Sequence, residues 1–424
     1  KHIDAAQLHR FLNSMLEREE QKWGITTPKQ DANDRLQDLI LTANRQTGKK
    51  VVVLIDEYDA PLLDVSHIGS LLSEMRQIMR NFYSPLKDCD PYLQFVFITG
   101  ITKFSQLSIF SELNNLKNIS MNPEFATVCG ISEEEIRTQM ADYVEDYASV
   151  NGITAEEAMN ELKGQYDGYH FAWPSPDIYN PFSLLNTLDS KRFREYWFET
   201  GTPSFLVKMM KETSYDVTRL SGDEVGSSLL TNVDSAFANP VPFLYQAGYL
   251  TIKDYDKEYK LYKVGFPNKE VKDGFLNYLL NFYAPVQAES TDALISRMSR
   301  DIRSGNAEGF MQKLEALFAK TSYQIQGDSE KDFQYAMYII LELMGEYVEV
   351  EKATSNGRID VLLQTREYIY IIEIKINDTA EAALQQIEEK AYARRFADDK
   401  RKIFKLGVRF STESRCIDSW KIAE

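Results

Sequence analysis

One stretch near the C-terminus places two charges inside an otherwise apolar strand. It reads Tyr368-Ile369-Tyr370-Ile371-Ile372-Glu373-Ile374-Lys375-Ile376. A surface strand alternates polar and apolar residues along its whole length. A strand that is apolar on both faces reads as buried in a sheet covered on both sides. A carboxylate and an ammonium are costly there unless they pair or bind a metal. Period two puts Glu373 and Lys375 on one face. A second strand-like run, Gly357-Arg358-Ile359-Asp360-Val361-Leu362-Leu363, precedes it and brings another carboxylate. Asp, Glu and Lys converging in a sheet suit a hard divalent cation and an attacking water. Glu351, just ahead of these runs, is a further candidate carboxylate.

An Asp on one strand, twelve intervening residues and a Glu-x-Lys ending the next strand resemble the PD-(D/E)XK nuclease superfamily. In that pattern a helix follows, with a Gln facing the site. Here Thr379–Tyr392 is rich in good helix formers, and Gln386 is the matching position. The resemblance implies Mg²⁺ or Mn²⁺ held by Asp360, Glu373 and the Ile374 carbonyl. It also implies that Lys375 orients water and stabilises phosphate charge, and that Gln386 positions the site.

The net charge of −16 argues against nonspecific nucleic-acid binding by the whole surface. The charge is uneven, however. Residues 352–424 carry 14 basic against 12 acidic residues, so the rest holds all the negative excess. Arg394, Arg395, Lys400, Arg401 and Lys402, with Lys405 and Arg409 beyond, form a candidate phosphate-contacting edge. Cys89, Cys129 and Cys416 are far apart and odd in number, which argues against a disulfide framework or a Cys-based zinc site. A cytoplasmic setting is expected. No apolar run approaches the ~18 residues that span a bilayer, so no membrane role is expected. His170 reads as a packed or surface residue.

A second motif lies near the start. Val51-Val52-Val53-Leu54-Ile55-Asp56-Glu57 has the form of a Walker B strand. A buried parallel strand would carry Asp56 to its C-terminal edge, where ligands bind. Asp56 would orient the magnesium of a nucleotide, and Glu57 would polarise the attacking water. Gln94–Lys103 reads as a neighbouring strand, with Thr99 or Thr102 as the residue that senses the terminal phosphate. A Walker A loop, Gly-x4-Gly-Lys-Ser/Thr between strand and helix, does not occur in these residues. Gly48-Lys49-Lys50 lacks the hydroxyl and precedes a strand.

Residues 130–225 read as helical. Ser132 with Glu135 begins one helix as a capping box, and Thr154 begins another. The dense aromatics between Tyr166 and Phe205 read as core. Two helical segments, Ser228–Val233 and Val241–Gln246, precede a hairpin formed by Leu250–Lys253 and Tyr259–Lys263, which suggests a winged-helix-like module. Asp332–Tyr347 reads as a helix ahead of the charged strands.

The wording of Leu54–Pro61, Phe97–Phe104, Tyr166–Phe171, Tyr179–Leu185 and Tyr245–Ile252 resembles bacterial AAA-ATPase-like proteins fused to a PD-(D/E)XK domain. That resemblance implies a Walker A segment upstream of Lys1, ATP binding by the intact protein, and weak nucleotide binding by these 424 residues. The expected architecture is multidomain α/β. An AAA-like parallel-sheet core of P-loop type, lacking its Walker A segment, takes 1–130. A helical lid follows at 131–225, a winged-helix-like module at 226–290, and a restriction-endonuclease-like domain at 291–424. The expected function is a metal-dependent nuclease, with DNA the first candidate substrate, coupled to an ATPase-like module. The rivals are a nucleotide-gated DNA- or protein-binding switch with little turnover, and a noncatalytic protein that assembles oligomers.

Overall fold

The computed structural model describes residues 4–63, 65, 69–101, 116–199, 204–231, 239–283, 288–321, 329–345, 349–355 and 358–424. The chain divides into two compact units. The first holds Lys1–Lys191, Lys208–Tyr215 and Leu220–Pro267; the second holds Arg192–Val207, Asp216–Arg219 and Asn268–Glu424.

In the first unit, β1 (Val51–Ile55) and β2 (Leu93–Ile98) pair in parallel, residue for residue from Val52↔Phe95 to Ile55↔Ile98. The helix Ala32–Thr47 packs beside β1. It ends at Gly48 in the left-handed region, the usual C-cap geometry. A buried ion pair fixes this helix to Ala5–Lys22: Arg35 donates to both carboxylate oxygens of Glu20, at 2.8 and 2.6 Å. The expected parallel pairing holds, but the expectation that β1 is buried does not. Val52 is 53% exposed, Leu54 69% and Phe95 54%. Two strands covered on one side leave every second residue facing out.

Further along, Ser132 and Thr154 cap their helices as the sequence suggests, with reciprocal bonds to Glu135 and Glu157. Tyr166 and Tyr179 are fully buried, but Phe182 is 47% exposed, so the expected aromatic core holds only in part. His170 packs against Trp173 and lies 3.3 Å from Asp177. A three-stranded antiparallel sheet, β3 (Asp223–Gly226), β5 (Leu261–Gly265) and β4 (Thr251–Asp256), completes the unit. The helices Ser227–Thr231 and Val241–Gln246 precede its β4–β5 hairpin.

The second unit is built on a five-stranded sheet in the order β10 (Cys416–Ala423), β9 (Lys402–Ser411), β8 (Tyr368–Ile376), β7 (Arg358–Gln364), β6 (Glu349–Ser355). Only β8 and β9 run parallel, joined by a crossover through the helix Ala380–Glu389. β8 is buried from Ile369 to Ile374 because both of its faces are covered. On one face Tyr370 donates to the carbonyl of Ile302 at 2.7 Å, and Phe410 packs with Phe318 and Phe333. On the other, Leu362, Ile369 and Ile371 form a core with Ile387 of the crossover helix. That helix lies close to β9 because position 407 is glycine. A Cβ there would come within 2.2 Å of the Ala380 carbonyl and 2.8 Å of the Leu384 amide.

Two predictions follow from this packing. Gly407→Ala must displace the crossover helix, so it lowers the urea midpoint of the chain by the equivalent of about 1–3 kcal/mol. In the first unit, Asp167 is buried, and burial first, then Asp177, push its carboxyl up to about 6 against the pull of the Gly168 amide and Lys163. The native state therefore binds more protons than the unfolded state between about pH 4 and 6. Stability is full below that window and is lost as pH rises through it, by at most about 3 kcal/mol. Asp167→Asn removes this fall, and urea midpoints of both proteins from pH 4 to 7 measure it.

Candidate active site

The charged row of the C-terminal sheet is set by strand register. Asp360 on β7 stands opposite Glu373 on β8, and Glu373 stands beside Gly407 on β9. The backbone therefore brings the two acidic positions together; the Asp360 side chain lies outside the described residues. Glu373 has no exposure to solvent although it is ionisable. Its Oε1 accepts from Gln386 Nε2, and Gln386 Oε1 in turn accepts from Lys375 Nζ at 2.5 Å. One amide thus bridges the carboxylate and the ammonium, confirming that Glu373, Lys375 and Gln386 share a face. The helix that carries Gln386 begins at Thr379, whose side chain accepts from the Ala382 amide at 3.0 Å. Ile374 is fully buried between these two residues. By strand alternation its side chain turns to the opposite face, so only its backbone belongs to this row.

Among the described residues no three His, Cys, Asp or Glu side chains gather as a ready metal cage. The donor types in the row are hard oxygens: two carboxylate positions, face to face, and the Ile374 carbonyl. These suit Mg²⁺ or Mn²⁺ and not a soft thiophilic ion. Glu351 pairs with Leu362, whereas Asp360 pairs with Ala353, so the Glu351 backbone stands two residues away along β6; its side chain is outside the described residues.

The basic cluster does not form one edge. Arg401 is taken up by Asp399 at 2.7 Å, the Thr365 carbonyl at 2.9 Å and Gln364 at 3.0 Å. Lys402 pairs with Glu424 and Lys405 with Glu388, each at 2.5 Å. Arg394 and Lys400 are exposed or nearly so, and the Arg395 side chain is outside the described residues. Arg409 differs from these: it stands beside Lys375 in the β8–β9 register. Sequence spacing could not reveal this, because a parallel register across a helical crossover is not written in the distance between residues.

In the first unit, Asp56 and Glu57 follow the last residue of β1, and Thr99 follows the last of β2. They meet at the C-terminal edge of the parallel pair, where open α/β sheets bind ligands. The Thr99 hydroxyl donates to Asp56 Oδ1, which also accepts from the Glu57 amide at 3.1 Å. The Tyr58 amide donates to the Thr99 carbonyl at 3.0 Å. Glu57 takes a φ of 50°, uncommon for a residue with a Cβ and typical of a tight, over-determined turn. Thr102 lies outside the described residues. A residue given no role from sequence is Asp59: it is fully buried and accepts from the Ile101 amide at 3.1 Å. It fits only because Gly100 has no side chain, since a Cβ there would sit 2.5 Å from Asp59 Oδ1. Cys89, Cys129 and Cys416 are all unbridged, and no helix among the described residues is long and apolar enough to cross a membrane.

Comparison with known proteins agrees with this geometry. Residues 1–110 match the family described as predicted AAA-ATPase, and residues 328–420 match a PD-(D/E)XK nuclease superfamily model. A protein of Azotobacter chroococcum described as an uncharacterized protein in the vnfD 5′ region is 32% identical over 423 residues, covering 98% of this chain and 80% of that protein. No solved structure matches. With its N-terminal AAA-ATPase-like region and its buried Glu373 bonded to Gln386 in the matched C-terminal segment, the chain belongs to the AAA-ATPase-like proteins that carry a C-terminal PD-(D/E)XK nuclease superfamily domain.

Proposed function

We propose that the chain is a Mg²⁺- or Mn²⁺-dependent nuclease that hydrolyses phosphodiester bonds in nucleic acid, with DNA the first candidate substrate. The observation that carries this reading is the fully buried Glu373, held by Gln386, which also holds Lys375, on the strand position opposite Asp360. Asp360, Glu373 and the Ile374 carbonyl are the proposed ligand set. A cation bound there supplies Lewis-acid polarisation and a more acidic water. Lys375 is the residue that orients the attacking water and offsets charge gathering on the phosphate. Gln386 keeps the lysine and the glutamate at a fixed separation, so the site is preorganised.

A second reading rests on the Asp56–Thr99 contact at the edge of β1 and β2. In it the first unit is an AAA-like core in which Asp56 orients magnesium, Glu57 polarises water, and Thr99 reads the terminal phosphate of ATP. The nuclease-like domain then serves as a nucleotide-gated binder with little turnover. The proposed boundaries are a core at 1–130, a helical lid at 131–225, a winged-helix-like module at 226–290 and the nuclease domain at 291–424. Two helices ahead of the β4–β5 hairpin support the third of these.

Labelled single-stranded DNA, duplex DNA and RNA, incubated with the chain in Mn²⁺, Mg²⁺ or EDTA, separate the two readings. The nuclease reading expects cleavage that needs the metal and falls to the EDTA background in Glu373→Ala; unchanged metal-dependent cleavage in that variant sinks it. Gln386→Ala, which removes a positioning contact and no ligand, is expected to slow cleavage about 10- to 100-fold. For the first unit, these 424 residues lack a phosphate-cradling Walker A loop. They are expected to bind Mg-ATP no tighter than about millimolar by calorimetry, where each tenfold change in affinity is about 1.4 kcal/mol. Micromolar binding would show that another loop of this chain holds the phosphates.

A further inference from the structure

The sheet register sorts its charges into two lateral rows. Asp360, Glu373 and Gly407 stand side by side on β7, β8 and β9. Two residues along each strand, about 6.7 Å away, stand Arg358, Lys375 and Arg409. Three basic positions therefore border the acidic row across three adjacent strands. Register partners on neighbouring strands share a face, so Arg409 lies on the Lys375 side of the sheet, about 5 Å from it across the ladder.

What holds Arg409 there is weak. Asp418 on β10 approaches its Nε at 3.5 Å, with the two side chains 40% and 32% exposed. The Nε itself is buried and makes no hydrogen bond among the described residues. An exposed pair of this kind contributes about 0–1 kcal/mol. Arg401, by contrast, satisfies three protein groups at once. A planar guanidinium whose charge is barely used, next to a lysine tied into the proposed catalytic row, suits an oxyanion whose two neighbouring oxygens it can grip with two N–H groups.

We propose that Arg409 binds a backbone phosphate of the nucleic-acid substrate, next to the phosphate that is cleaved, and that Asp418 competes for it when the site is empty. This rests on the nuclease reading for the identity of the neighbouring phosphate. Binding, however, can be measured without turnover. The experiment is fluorescence anisotropy of a fluorescein-labelled DNA duplex with the full chain in EDTA, over a series of salt concentrations. Arg409→Ala is expected to weaken binding roughly tenfold and to lower the slope of log K against log salt by about 0.9, the loss of one phosphate contact. Arg409→Lys keeps the charge and most of the slope. Asp418→Asn removes the competitor and tightens binding two- to threefold on the order of an exposed ion pair. Affinity and slope unchanged in Arg409→Ala overturn the proposal, as does a wild-type chain that does not bind the duplex. Weaker binding in Arg409→Ala beside a wild type that never cleaves keeps the phosphate contact and removes the nuclease reading instead.

Discussion

A carboxylate without solvent is the constraint around which the C-terminal unit is arranged. Moving Glu373 out of water costs several kcal/mol unless polar partners replace the lost hydration. One such partner comes from the crossover helix, whose Gln386 bonds to Glu373 and Lys375 together. That helix must lie close to the sheet to reach so far, and the missing side chain at Gly407 permits it. Ile387, one residue after the glutamine, completes the apolar core on the same face. Polar reach and apolar packing thus depend on a single helix position.

The first unit solves a different problem with parallel strands. β1 and β2 end together, and their last backbone bonds continue into the turns that carry Asp56 and Thr99: the Thr99 amide donates to the Ile55 carbonyl at 2.8 Å. The polar edge is therefore hydrogen-bonded directly to the ladder behind it. The lateral face is another matter. Parallel sheets are usually covered on both sides, whereas Val52, Leu54 and Phe95 meet water here. Buried Asp59 accepts from the Ile101 amide and so ties the turn after β1 to the turn after β2.

Much of the C-terminal site was legible in residue order, because burial and charge conflict there so openly. Two charges in an apolar run announce Glu373 and Lys375, period two puts them on one face, and the family resemblance, not the helix-forming stretch itself, singles out Gln386. The pairing of Asp360 with Glu373 follows from a short antiparallel hairpin, where the turn nearly dictates register. Arg409 was legible only as a member of a basic cluster. Its place beside Lys375 depends on how a parallel strand docks after a helix, and Arg401, Lys402 and Lys405 carry the same charge with quite different duties. The exposure of β1 was misread for a related reason: five apolar residues in a row say that a strand can be covered, not that both of its faces are.

The bridge between Glu373 and Lys375 narrows what can occupy position 386. Its occupant must accept from an ammonium and donate to a carboxylate, without charge of its own. A carboxylate there would face Glu373, an ammonium would face Lys375, and a hydroxyl or an asparagine is too short to span both. Glutamine meets this demand with the two ends of one uncharged amide. The row therefore works as a small alternating circuit of charge and dipole. A mutation in this circuit changes the electrical balance of the whole sheet centre even when the volume of the side chain is kept.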